Sequence, residues 1–207
     1  MRKILTLLSV AALISTPLSA QARGFDSDLS ATITGPMKLE IRVSDDLAHR
    51  ANNLPKKLTA RSSSSRLNSS FANNGRYGDK AISHLLEDMN EEITADFTRQ
   101  GIILSDSAPT VLRITIEKVK PNRPTFKQLS TDASLSFQSF GIGGAEVSAD
   151  ILGANGNVIG SAEYDYYSSL DQHIVRPIGT WADAERAFSR FSRKLSKKLA
   201  ALGAASG

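Results

Sequence analysis

Residues 181–202 carry Trp181, Ala184, Phe188, Phe191, Leu195, Leu199 and Leu202 at three- and four-residue spacing. That spacing sets them on one side of an α-helix about six turns long. Such a stripe is stable only when something covers it. The interspersed Arg186, Arg190, Arg193, Lys194, Lys197 and Lys198 rule out a membrane span as the cover. The chain must therefore build a second layer for this helix to lie on. Thr180 and Asp183 have the spacing of a capping box, with aspartate in place of the longer glutamate, and Gly203 is placed to end the helix. The basic residues complement the negative end of the helix dipole. Among them Arg190, Lys194, Lys197 and Lys198 are also candidates for contact with anionic lipid or glycan.

A second helix is expected from Asp79 to Gln100, where Ile82, Leu85, Leu86, Met89, Ile93 and Phe97 recur with the same period. Asp79 is the expected N-cap, and Gly101 follows the C-terminus. Glu87, Asp88, Glu91, Glu92 and Asp96 mostly occupy the other side. Carboxylates at this spacing read as solubilising charge, because no nearby histidine accompanies them.

The remaining periodic segments alternate with period two. "MKLEIRVS" places Met37, Leu39, Ile41 and Val43 on one face. "TVLRITIEKVK" does the same with Leu112, Ile114 and Ile116, and Val119 breaks the parity, which predicts a bulge or the end of the strand near Lys118. "ASLSFQSF" sets Leu135 and Phe137 on one side and is read as a further strand. In "GAEVSADILGANGNVIGSAEYDYY" two alternating runs flank Asn155-Gly156, the signature of a hairpin. Its small residues Gly160 and Ala162 leave room for a helix close against that face. The glycines lead into strands and not into a helix N-terminus, so they do not form a phosphate-binding loop. The expected fold is α+β: a two-layer sandwich in which one mostly antiparallel sheet of about five strands is covered by two amphipathic helices.

Arg2 and Lys3, the apolar run "ILTLLSVAALIST" and the small residues Ala20-Gln21-Ala22 have the layout of a secretory signal peptide, residues 1–22. Residues 23–207 are then expected as a single domain, periplasmic or secreted. Of 25 Lys and Arg, Arg2 and Lys3 fall in the leader, leaving 23 against 21 Asp and Glu. That balance is too weak to argue for nucleic acid. With no cysteine, disulfides, a lipidated N-terminal cysteine and thiol catalysis are excluded. Pro55 limits any helix after the first strand, and the serine- and asparagine-rich stretch around 61–78 is expected to be a flexible loop.

Chemistry is hard to place on this chain. His49, His84 and His173 show no H-x-x-x-H or H-x-H pairing for a metal, and no G-x-S-x-G elbow occurs. No cofactor is implied. Tyr164, Tyr166 and Tyr167, followed by His173 and Arg176, form the most promising local collection: Tyr164 and Tyr166 are expected to face the core, and Tyr167 with the segment "SSLDQHIVRPIG" to line a groove. The leader, "MKLEIRVS", "ISHLLEDMNEEITADFTRQGI", "VLRITIEKV", "DILGANGNVIG" and "AFSRFSRKLSKKLA" together resemble small uncharacterised secreted or lipoprotein-like α/β proteins of the Gram-negative cell envelope. The resemblance implies a non-enzymatic binding or assembly module whose strand edge, loop or basic helix end contacts an envelope protein. The alternatives are an envelope hydrolase with a site assembled from distant loops, or a peripheral membrane-binding protein.

Overall fold

The computed structural model describes residues 24–30, 32–57, 70–168 and 179–204. Five strands form one sheet: β1 (Phe25–Asp28), β2 (Met37–Val43), β3 (Thr110–Lys120), β4 (Gly144–Leu152) and β5 (Val158–Tyr167), in the order β1-β5-β4-β3-β2. Only β2 and β3 pair in parallel; the other three pairings are antiparallel. The helices are α1 (Asp45–Asn52), α2 (Ser70–Asn74), α3 (Asp79–Arg99), α4 (Phe126–Thr131) and α5 (Ala182–Ala201). The crossover that a parallel pair requires runs from β2 to β3 through α1, α2 and α3.

Both long helices lie where their stripes demand. Phe188, Phe191, Leu195 and Leu199 of α5 and Leu85, Met89, Ile93 and Phe97 of α3 are fully buried. They share one core with Leu112, Ile114, Ile116, Ala145, Val147, Ala149 and Ile151 of the sheet. The ladder shifts register between Ile116 and Lys118, so the parity break at Val119 is a bulge. The hairpin turns through Gly156 at φ 79, and Gly153 N–H donates to Asn157 O at 2.9 Å. At Gly160 the close neighbour is Leu29, following β1, and not a helix.

Several expectations need correction. The segment 133–140 is not a strand: Phe137 is 71% exposed and the chain there makes successive turns. The fifth strand is instead β1, whose sequence FDSD has a single apolar residue and so no alternation to detect. A helix does follow β2 before Pro55: the Ser44 side chain caps α1 by accepting from Leu47 N, and α1 ends at Asn52. Neither long helix starts with the expected cap. Gly78 precedes α3 and Trp181 precedes α5, both without a side-chain cap, since Asp183 is drawn into tertiary bonds. Asp96 is buried and ion-paired to Arg99, so it is not a solubilising charge. Within 61–78, residues 61–69 lie outside the described residues, but Phe71 and Tyr77 are core residues and anchor the end of that segment.

Candidate functional site

The pole of the molecule where β3 ends and β4 begins is built around buried polar groups. Asn122 is fully buried and Asp183 nearly so. The Asp183 carboxyl accepts from Asn122 Nδ2 at 2.5 Å, Ser168 Oγ at 2.6 Å and Arg186 Nη1 at 2.6 Å, while Asp183 N–H donates to Asn122 Oδ1 at 2.9 Å. The Asn122 backbone extends the junction: its N–H donates to Thr180 O at 2.8 Å, and its C=O accepts from Gly141 N at 2.9 Å. One carboxyl and one amide thereby fix the ends of β3, β5 and α5 together. Tyr77 stands beside them, its ring edge-on to Trp181 at 5.4 Å and under the Arg50 guanidinium at 4.0 Å. Its hydroxyl lies 2.8 Å from Ala72 O and 3.0 Å from Val119 O, and burial pushes its pKa up.

Residues 121–143 rise from this base as a lobe. Thr125 and Gln128 form a complete capping box at the start of α4. The buried Gln128 side chain also donates to Phe71 O at 2.8 Å, tying the lobe to α2. Arg123 Nη1 donates to Gln138 O at 2.9 Å, closing the far end. The apolar residues on this fixed frame face outward: Phe126 is 83% and Phe137 71% exposed, with their rings edge to face at 6.2 Å, and Phe140 lies 6.0 Å from the Arg123 guanidinium. In the sequence, Pro121 and Pro124 mark only a turn or loop after β3. The Thr125-x-x-Gln128 spacing was the available signal.

A second feature lies along the seam of α3 and α5, a groove of about 470 Å³ lined by Asp88, Glu91, Glu92, Ala95, Arg99 and Glu185. His84 Nδ1 stands 3.0 Å from Asp88 Oδ1, so a histidine does accompany the acidic face after all, one helical turn away. Burial raises the pKa of Asp88 against the lowering effect of His84. Glu185 is also raised, first by desolvation and then by the charge of Asp88. His84 is raised by a hydrogen bond to its own backbone and, against desolvation, by Asp88, Glu185 and Glu87. Among the described residues no hydroxyl is hydrogen-bonded to His84 and no group of three or more His, Cys, Asp or Glu is arranged to hold a metal ion. The groove therefore offers proton-exchanging groups, with no hydroxyl held by its histidine among the described residues.

The residues singled out from sequence do not converge. Arg190 lies over the Tyr166 ring at 4.5 Å, and Lys194 lies 5.6 Å from Tyr164 and 6.0 Å from Phe25. Both thus cover aromatic residues at the edge of the core, while Lys197 and Lys198 are exposed on the same helix. Tyr167 points to the opposite face of the sheet, where its hydroxyl donates to Glu146 Oε1 at 2.9 Å and Lys120 lies 4.7 Å from its ring; burial and Glu146 raise its pKa. His173 and Arg176 lie outside the described residues.

That opposite face of the sheet is mostly polar and strongly graded. β1, β4 and β5 contribute Asp26, Asp28, Glu146, Asp150, Glu163 and Asp165 and contain no Lys or Arg. β2 and β3 contribute Lys38, Arg42, Arg113, Lys118 and Lys120 against Glu40 and Glu117. Across the boundary Lys118 Nζ meets Glu146 Oε2 at 2.6 Å, and within the basic half Arg113 meets Glu40 at 3.2 Å.

No family model matches the chain, and no curated protein matches it. Among solved structures it is similar to the PelC dodecamer from Paraburkholderia phytofirmans, in two crystal forms, one of them of a point variant. Identity is 10% and the TM-score 0.40 in both; the overlap covers 85% of this chain and 98% or 96% of PelC. Overlap at that level carries no argument about what this chain does.

Proposed function

We propose that the protein is a non-enzymatic binding or assembly module of the cell envelope, acting in the periplasm or outside the cell after removal of residues 1–22, and that it engages an envelope protein through the lobe 121–143. The observation that carries this reading is the outward display of Phe126 and Phe137 on a frame pinned by Gln128, Asn122 and Arg123. Two large aromatics held in water on a preorganised support lose little further freedom on binding and gain about 1.5–3 kcal/mol each when a partner covers them. Attachment to a membrane through residues 186–198 is less favoured, since the apolar stripe of that helix is spent on the core and only its charges remain outside.

A photo-crosslinking amino acid at position 130, exposed on the same lobe, tests the reading in living cells. A discrete envelope-protein adduct is expected, which Phe126→Ser with Phe137→Ser abolishes without altering the thermal midpoint, because both side chains are exposed. Absence of any adduct, or turnover of an envelope substrate that His84→Ala eliminates, would favour the hydrolase.

A further inference from the structure

The sheet ends in two unlike edges. β1 presents Asp26 and Asp28, both exposed, on the polar face. β2 presents Lys38, Glu40 and Arg42 on that same face. Glu40 is held by Lys38 at 3.0 Å and by Arg113 at 3.2 Å. Arg42 hydrogen-bonds to Thr115 Oγ1 at 3.0 Å and makes no ion pair among the described residues. One edge is therefore acidic and the other basic.

Among the described residues the backbone along β2 beyond Met37 is also open. Met37 uses its outward groups, donating to Ile103 O at 3.0 Å and accepting from Ser105 N at 2.9 Å. Leu39, Ile41 and Val43 are in phase with Met37 along the strand, and their outward groups have no backbone partner among the described residues. On the helix side of the sheet, Leu39, Ile41 and Val43 are only partly buried, as is Phe25 of β1. Each edge thus combines apolar side chains on one face with charge on the other, and β2 adds unused backbone groups.

Strand direction completes the match. β2 and β3 run the same way, and three reversals then lead through β4 and β5 to β1, so β1 points opposite to β2. Placed edge to edge in a continuous sheet, β1 of one copy meets β2 of the next antiparallel, with both helix layers on the same side. The register that sets Asp26 opposite Arg42 sets Asp28 opposite Glu40, whose charge is already compensated, and diagonal to Lys38. Charges on edge strands ordinarily oppose pairing. Here they oppose joining two β1 edges, where aspartates would meet aspartates, and favour joining unlike edges, an arrangement that selects one partner orientation by repulsion from the others.

We propose that the occupant of each edge is a second copy of this chain, joined head to tail through β1 and β2. Such a contact joins unlike surfaces and so repeats from copy to copy. It does not depend on the lobe 121–143, which leaves from the ends of the inner strands β3 and β4. A contact only four residues long is short, so association is expected at high protein concentration and low salt.

Sedimentation velocity across protein concentration, at low and high ionic strength, tests this. The wild-type protein should associate, with a dissociation constant that rises roughly tenfold or more when salt screens the edge charges. Asp26→Lys with Asp28→Lys makes both edges basic, and Lys38→Glu with Arg42→Glu makes both acidic. Each variant alone should remain monomeric with an unchanged circular dichroism spectrum, and an equimolar mixture should associate again, because every junction in it joins opposite charges. A wild-type protein that stays monomeric at low salt, a charge-reversed variant that associates as wild type does, or folded variants that fail to associate on mixing would each overturn the proposal.

Discussion

Asp183 and Asn122 tie the ends of β3 and β5 to the start of α5 through buried hydrogen bonds. With Asn122 replaced by alanine, Asp183 loses one donor to its carboxyl and the acceptor for its N–H, and Gly141 O loses a side-chain donor. Hydrogen bonds to charged groups and buried unsatisfied partners each count for about 1–3 kcal/mol. Asn122→Ala is therefore expected to lower stability by about 2–4 kcal/mol, measured by denaturant unfolding. Asp88 has the opposite sign. Its folded-state pKa is raised by burial, so the native state holds its proton more tightly than the unfolded chain does. Its contribution to stability falls as pH rises from the ordinary carboxylate value through the raised one, and stays unfavourable above it. Asp88→Asn should unfold at a higher temperature than wild type near pH 7, and the two midpoints should converge in acid; a calorimetric pH series checks both. His84, raised as well, adds stability in acid that is lost as pH rises through its folded-state value.

Among the elements, α5 and α3 could be read from sequence because burial imposed an uninterrupted period on them. Leu195 sits at the centre of the α5 stripe with no exposure, and Leu195→Ala is expected to cost about 2–5 kcal/mol by chemical denaturation. The lobe and β1 could not be read this way. β1 is held by its backbone ladder to β5 and by Phe25 against Phe191 at 6.3 Å, so three of its four side chains are free of any pattern. Leu135 and Phe137 do alternate, but they lie in the connection between β3 and β4, which pair directly with each other and leave no place between them for another strand. α4 depends on capping and on Gln128, not on an apolar face. Gln128→Ala should strip Phe71 O of its side-chain donor, leaving it the Gly75 N–H alone, and free the Thr125 N–H. About 1–3 kcal/mol of local stability is then lost, seen as faster amide hydrogen exchange across residues 121–143 while β4 and β5 exchange unchanged.

At the level of the whole molecule, alternation and helical period were enough to specify one sheet under two helices, because each concerns which side of an element meets water. They do not specify which strands lie at the edges or where two distant side chains meet. Strand order placed every carboxylate of β1, β4 and β5 on one half of the polar face, a segregation absent from the near-neutral composition. The candidate residues suffered for the same reason. Arg190 lies on α5, packed on one face of the sheet, while Tyr167 points from β5 to the other face, and only topology separates them.

The chain contains one tryptophan. Trp181 is buried at the mouth of α5, against Tyr77 and next to the strand ends that Asn122 and Asp183 hold. Indole emission therefore comes from a single place, the joint between helix and lobe. A red shift on loosening that joint would make the unaltered polypeptide its own optical sensor.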